Sequence, residues 1–123
     1  METSSKKVLE AMPSFEDYFK LAEEIKKLSY NKMVIEKTIK EKEAETFLTI
    51  MTDPKYFING KTVPVSYFDN AFKHGGINGE ILQYRLDLAE AISDLEMKRT
   101  QFRIYEQMHD LHKTLAYQEK AMS

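Results

Sequence analysis

Apolar residues recur in steps of three and four across two long stretches of this chain, separated by a shorter one where that rhythm stops. In the first stretch Tyr18, Leu21, Ile25, Leu28, Ile35 and Ile39 follow such steps or their sum of seven, with Lys32 interrupting. The spacing puts them on one side of a 3.6-residue helix, as a seam against a second helix. Ser14 stands in the N-cap position after Pro13, and Glu16 and Asp17 occupy the first turn, where the helix dipole favours carboxylates. A first helix is predicted over residues 14–52. Between Glu36 and Thr46 only Ile39 and Ala44 are apolar, which marks a solvated face. Glu23–Lys27 and Glu36–Lys40 have the i,i+4 spacing of supporting ion pairs. Phe47, Leu48, Ile50 and Met51 then restore apolar character.

The second stretch predicts a helix over residues 80–118. Ile81, Leu88, Leu95 and Phe102 fall seven apart, with Ile92 at an intermediate step. Another stripe, Met97, Ile104 and Leu111 with Met108 and Leu115 beside them, begins before the first ends and lies on a different face. Antiparallel pairing of the two helices sets Ile50 beside Ile81, Ile39 near Ile92, Leu28 near Phe102 and Leu21 near Leu111. Only one stripe can meet the neighbouring helix, and a lone helical hairpin buries little against its chain entropy. The surplus residues Ile104, Met108, Leu111 and Leu115 are therefore the expected interface of a homo-oligomer. Its simplest form is a dimer that closes a four-helix bundle.

Residues 53–79 hold all four glycines and two of the three prolines. Asn59-Gly60 is a strong type I′ turn signal, since both residues tolerate positive φ. The aromatic and β-branched residues at 55–58 and 61–63 predict the two arms of a β-hairpin, stopped at Pro64. Ser66 and Asp69 are spaced as an N-cap and its acidic partner, so a short helix is expected through about Lys73, ended by Gly75 and Gly76. Asn78 is expected to cap the second long helix, with Glu80 in its first turn. The fold class expected is mainly α: two long antiparallel helices joined by a small head of β-hairpin and short helix. It forms one domain over 1–123, with residues 1–13 as a tail, either disordered or a loosely docked helical turn.

Composition narrows the function classes. The chain has no cysteine, which excludes disulfide and thiol chemistry. Eighteen basic and 20 acidic residues interleave to a net charge of −2, so no global field draws the molecule to nucleic acid or anionic lipid. No apolar run approaches the ~20 residues of a membrane span, and no apolar region follows Lys6 and Lys7 as in a secretory signal. A cytoplasmic protein without membrane contact is expected.

No motif for catalysis rises from the sequence. His109 and His112 lie three apart with Glu106 a turn earlier, but such a pair alone reads as partly exposed imidazoles rather than a metal site. The glycines around Asn78 precede a helix yet lack the phosphate-loop lysine and the dinucleotide-binding spacing. An enzyme is not expected, nor a cofactor or metal. The surplus lies in the head, where Tyr56, Phe57, Tyr67, Phe68 and Phe72 crowd beside Lys55, Lys61, Lys73 and His74. They either plug the end of the bundle or form a contact surface, and the contact reading assigns Tyr56, Phe57, Asn59, Lys61, Tyr67 and Phe68 to a partner protein. The function expected is that of an adaptor, assembly factor or inhibitor working through protein contacts. The alternative is an accessory protein that stacks single-stranded nucleic acid on the aromatic and lysine-bearing head.

Overall fold

The structure, a computed structural model, describes residues 3–122 and is mainly helical. Helix α1 spans Ser4–Ala11, α2 Phe15–Thr52, α3 Val65–Ala71 and α4 Glu80–Met122, with single 3-10 turns at Pro54–Tyr56 and Ile77–Gly79. Two compact units divide the chain: Tyr30–Ser93, and the residues up to Ser29 together with those from Asp94 onward.

Local chemistry explains the ends of α2. The Ser14 N–H donates to Asp17 Oδ2 at 2.8 Å and the Asp17 N–H donates to Ser14 Oγ at 3.1 Å, a reciprocal box that satisfies two N-terminal amides. At the other end Asp53 accepts from the Lys55 N–H, and Pro54 takes the first position of a 3-10 turn, for which its fixed φ is suited.

That turn removes the expected β-hairpin. Asn59 (φ 53°) and Gly60 (φ 74°) do form the tight left-handed turn, and Ile58 and Lys61 exchange both hydrogen bonds at 2.9 and 3.0 Å. Pairing stops there, so among the described residues the head has one isolated bridge and no strand. Lys55 and Tyr56 are committed to the 3-10 turn on one side, and Pro64 offers no donor on the other. Two further capping expectations are corrected. Pro64 rather than Ser66 precedes α3, which carries no side-chain cap. Asn78 lies in left-handed conformation (φ 59°) inside the Ile77–Gly79 turn and caps nothing.

In the 30–93 unit, Ile50, Val63 and Phe68 form a buried cluster with Met51, Tyr56, Phe72 and Ile77 packed on it. Ile39, Ile81 and Ala91 are also buried. Arg85 bridges α4 to the Glu43 carboxylate on α2 and donates through Nε to the His74 carbonyl at 2.7 Å. Ile39 lines the same shallow cavity as Arg85 and Leu88, so α4 runs antiparallel to α2 here. Ile92, the expected neighbour of Ile39, remains exposed while Ala91 turns inward.

The other unit brings α1 and both helix arms together. Leu21 and Leu95 are its buried apolar residues. Tyr18 meets Phe102 and Tyr105 edge-on at 5.7 and 5.4 Å, and Glu24 pairs with Lys98 at 2.7 Å. The Lys98 hydrogen bond holds the Glu24 carboxyl below its ordinary pKa. Burial, and then the carboxylates of Glu106 and Asp110, push the Tyr18 hydroxyl up. This register differs from the expected one: Phe102 meets Tyr18, not Leu28, a slip of roughly three helical turns. A seven-residue apolar repeat scores such slips almost equally, so the pattern alone does not select between them.

Of the two alternatives for the tail, disorder or a docked helical turn, the described part follows the second: it is helical from Ser4, and residues 1–2 lie outside the described residues. Thr3 caps α1 by accepting from the Lys6 N–H at 3.2 Å. The Ser5 N–H donates to Glu119 Oε1 at 3.0 Å, and the Ser5 hydroxyl bonds Oε2, which ties α1 to the end of α4.

Candidate contact surfaces

The head surface is built on the α3 residues that face away from the core. Phe68 points inward: it is 4 % exposed and meets Phe47 edge-on at 5.0 Å, so it supports the head and offers nothing to a partner. Its neighbour Tyr67 points the other way and is 44 % exposed. Phe72 stands between Tyr67 and Tyr56, with edge-on contacts of 6.0 and 6.1 Å, and the Lys55 ammonium lies 5.6 Å from the centre of the Tyr56 ring. Lys55, Tyr56, Phe72 and Tyr67 thus form one continuous aromatic row with a cation at its end. Phe57 is half-buried, whereas Ile58, Asn59 and Lys61 around the tight turn are exposed. The structure therefore joins Tyr56 and Tyr67 through Phe72 and leaves Asn59 and Lys61 on the separate tip of the turn.

The sequence places Phe72 among the head aromatics without assigning it to the contact, and it does not single out Arg85. Phe72 could have been found from its place one turn after Phe68, on an adjoining face of the short helix. Nothing local announces Arg85, because its partners Glu43, Lys73 and His74 come from three other positions in the chain.

A second candidate lies on α4 in the other unit. Met97 is 67 % exposed, and Ile104 and Leu111 are each 48 % exposed. Met108 and Leu115 are half-buried at the margin of this stripe. The residues that α4 turns toward its own chain, Leu95, Lys98, Phe102 and Tyr105, lie on another side of the helix. The four residues expected at an oligomer interface thus share a partly exposed apolar strip.

His109 is exposed and His112 half-buried, and among the described residues no three His, Asp or Glu side chains converge as a metal site. Among the described residues no helix is long and apolar enough to cross a membrane. No family model, curated protein or solved structure matches this chain.

Proposed function

We propose that this chain is a non-enzymatic protein that self-associates through the α4 stripe and presents the head as a contact surface to a protein partner. The observation that carries the reading is surface left in water. In the unit formed by the N-terminal segment and the later half of α4, Met97 is 67 % exposed and Ile104 and Leu111 are each 48 % exposed. Met97, Ile104 and Leu111 concentrate apolar area on one strip, which is where association is most favourable.

Light scattering on the purified chain tests the assembly. A dimer or larger species is expected at micromolar concentration, and Ile104→Lys reduces it to a monomer because a charge does not remain unpaired in an apolar seam. A stable wild-type monomer would overturn the reading. The head is tested separately, with the partner captured by the wild-type chain from its host. Tyr67→Ala with Lys61→Glu, both at exposed positions, abolishes capture while shifting thermal stability little. Unchanged capture would place the partner's site elsewhere. Stacked nucleic acid is the rival occupant of the aromatic row, and salt separates the two. Binding to phosphates weakens steeply between about 50 and 200 mM salt, and an apolar protein contact hardly responds.

A further inference from the structure

Two features of the unit formed by the N-terminal segment and the later half of α4 lack an explanation within one chain. The first is a shallow cavity of about 370 Å³, floored by Ile25 and Phe102 and flanked by Arg99 and Arg103. The arginines are one turn apart on α4, a like-charge spacing that is unfavourable on a helix surface. Among the described residues Arg99 has no ion pair, and Arg103 reaches only the Thr100 hydroxyl, at 3.2 Å. The second is the opening turn of α2. Phe15 is 84 % exposed and Phe19, one turn on, 57 % exposed, with the Glu16 carboxylate unpaired among the described residues. Asp17 is committed to the Ser14 box, so Glu16 is the acidic group free to reach outward.

These features are complementary in charge and in apolar character. One offers an apolar floor between two guanidinium groups, and the other offers two phenyl rings beside a carboxylate. Arginine suits both parts of such a ligand, because its planar fork binds a carboxylate and its face stacks on an aromatic ring. Both occur on every copy, so a two-fold axis makes the contact twice in one dimer. We propose that the Phe15–Glu16–Phe19 edge of one copy docks into the Arg99–Arg103 cavity of a second copy, reciprocally. This contact rests on the self-association proposed above and adds a face to it. On the helical wheel Arg99 and Arg103 lie about 80° or more from the Met97–Ile104–Leu111 stripe. With both faces in use, the assembly is larger than a dimer.

A charge-swap mixing experiment tests it by sedimentation and light scattering. Arg99→Glu with Arg103→Glu sets acidic groups against Glu16 twice per dimer, and Glu16→Lys sets cations against the arginines twice. Each variant alone is expected to weaken this association about tenfold or more. An equimolar mixture restores it, since each copy then meets an opposite charge on the other. All three residues are exposed, so unchanged thermal melting of each variant verifies that folding is intact. If the wild type assembles and neither variant alters it, or if mixing restores nothing, this contact is refuted while self-association through α4 stands. A monomeric wild type refutes both.

Discussion

The two units are stabilised in different ways. In the 30–93 unit, Ile39, Ile50, Val63, Phe68, Ile81 and Ala91 are all buried, and the head closes on itself through short-range turn chemistry. In the other unit Leu21 and Leu95 are the buried apolar residues, and much of what joins its pieces is polar or edge-on: Glu24 with Lys98, Ser5 with Glu119, Tyr18 with Phe102 and Tyr105. Hydrophobic burial scales with area, whereas exposed ion pairs contribute about 0–1 kcal/mol. Independent stability therefore resides in the first unit. The second leaves Phe15, Phe19, Met97, Ile104 and Leu111 exposed, as expected of a surface completed by a partner.

Mutations in the sealed core should have the largest effect. Phe68→Ala removes a ring packed against Ile50, Val63 and Phe47, and a loss of about 3–5 kcal/mol is expected in chemical denaturation. Exposed Phe19→Ala should cost under about 0.5 kcal/mol in the dissociated chain. Native-state hydrogen exchange sharpens the contrast: amides of α2 and α4 within 30–93 should be the slowest, and those beyond Asp94 faster. Equal protection in both parts would abolish the distinction.

A backbone substitution comes next in size. Gly76 has φ +76°, and an added Cβ would lie 2.8 Å from Ile81 Cγ1, on a side chain that is fully buried and cannot yield. Gly60 has nearly the same φ, +74°, yet nothing stands within 4 Å of its missing Cβ. Gly76→Ala should therefore destabilise by about 2–4 kcal/mol, combining conformational strain with overpacking. Gly60→Ala carries only the backbone part, about 1–2 kcal/mol. Equal midpoints for the two variants in urea would show that Ile81 gives way.

This pair also shows what the sequence made legible. The Asn59-Gly60 turn, the Ser14 start of α2 and its end at Thr52 follow from local chemistry, and each is where the residues placed it. The hairpin arms failed because Asp53-Pro54 captures Lys55 and Tyr56 in a 3-10 turn, a local preference that outcompeted their strand propensity. Asn78 has the composition of a cap, but the chain uses its tolerance of left-handed φ instead. Both long helices were readable from periodicity, whereas their register was not, since Tyr18 serves Phe102 as well as Leu28 would. At the proposed surfaces the α4 stripe was legible as an apolar surplus. Phe68 was assigned outward because composition alone does not distinguish the inner from the outer face of a seven-residue helix.

The smallest effect expected is at the tie between α1 and α4, where pH acts on a single carboxylate. Glu119 accepts from the Ser5 hydroxyl and amide, and these hydrogen bonds, the hydroxyl's first, hold its carboxyl below the ordinary range. A folded-state pKa below the unfolded one stabilises docking above the ordinary carboxylate pKa, and the contribution is lost as pH falls through the lowered value. Docking of α1 should therefore be complete near neutrality and loosen only in acid, without unfolding the 30–93 core. In an NMR titration the Glu119 side chain and the Ser5 amide should move together, with a midpoint below that of an ordinary glutamate. Glu119→Gln should remove that transition and speed exchange at the α1 amides even at neutral pH, because an uncharged amide oxygen accepts less strongly than a carboxylate. An ordinary Glu119 midpoint with a motionless Ser5 amide would mean that α1 is held by something other than this carboxylate.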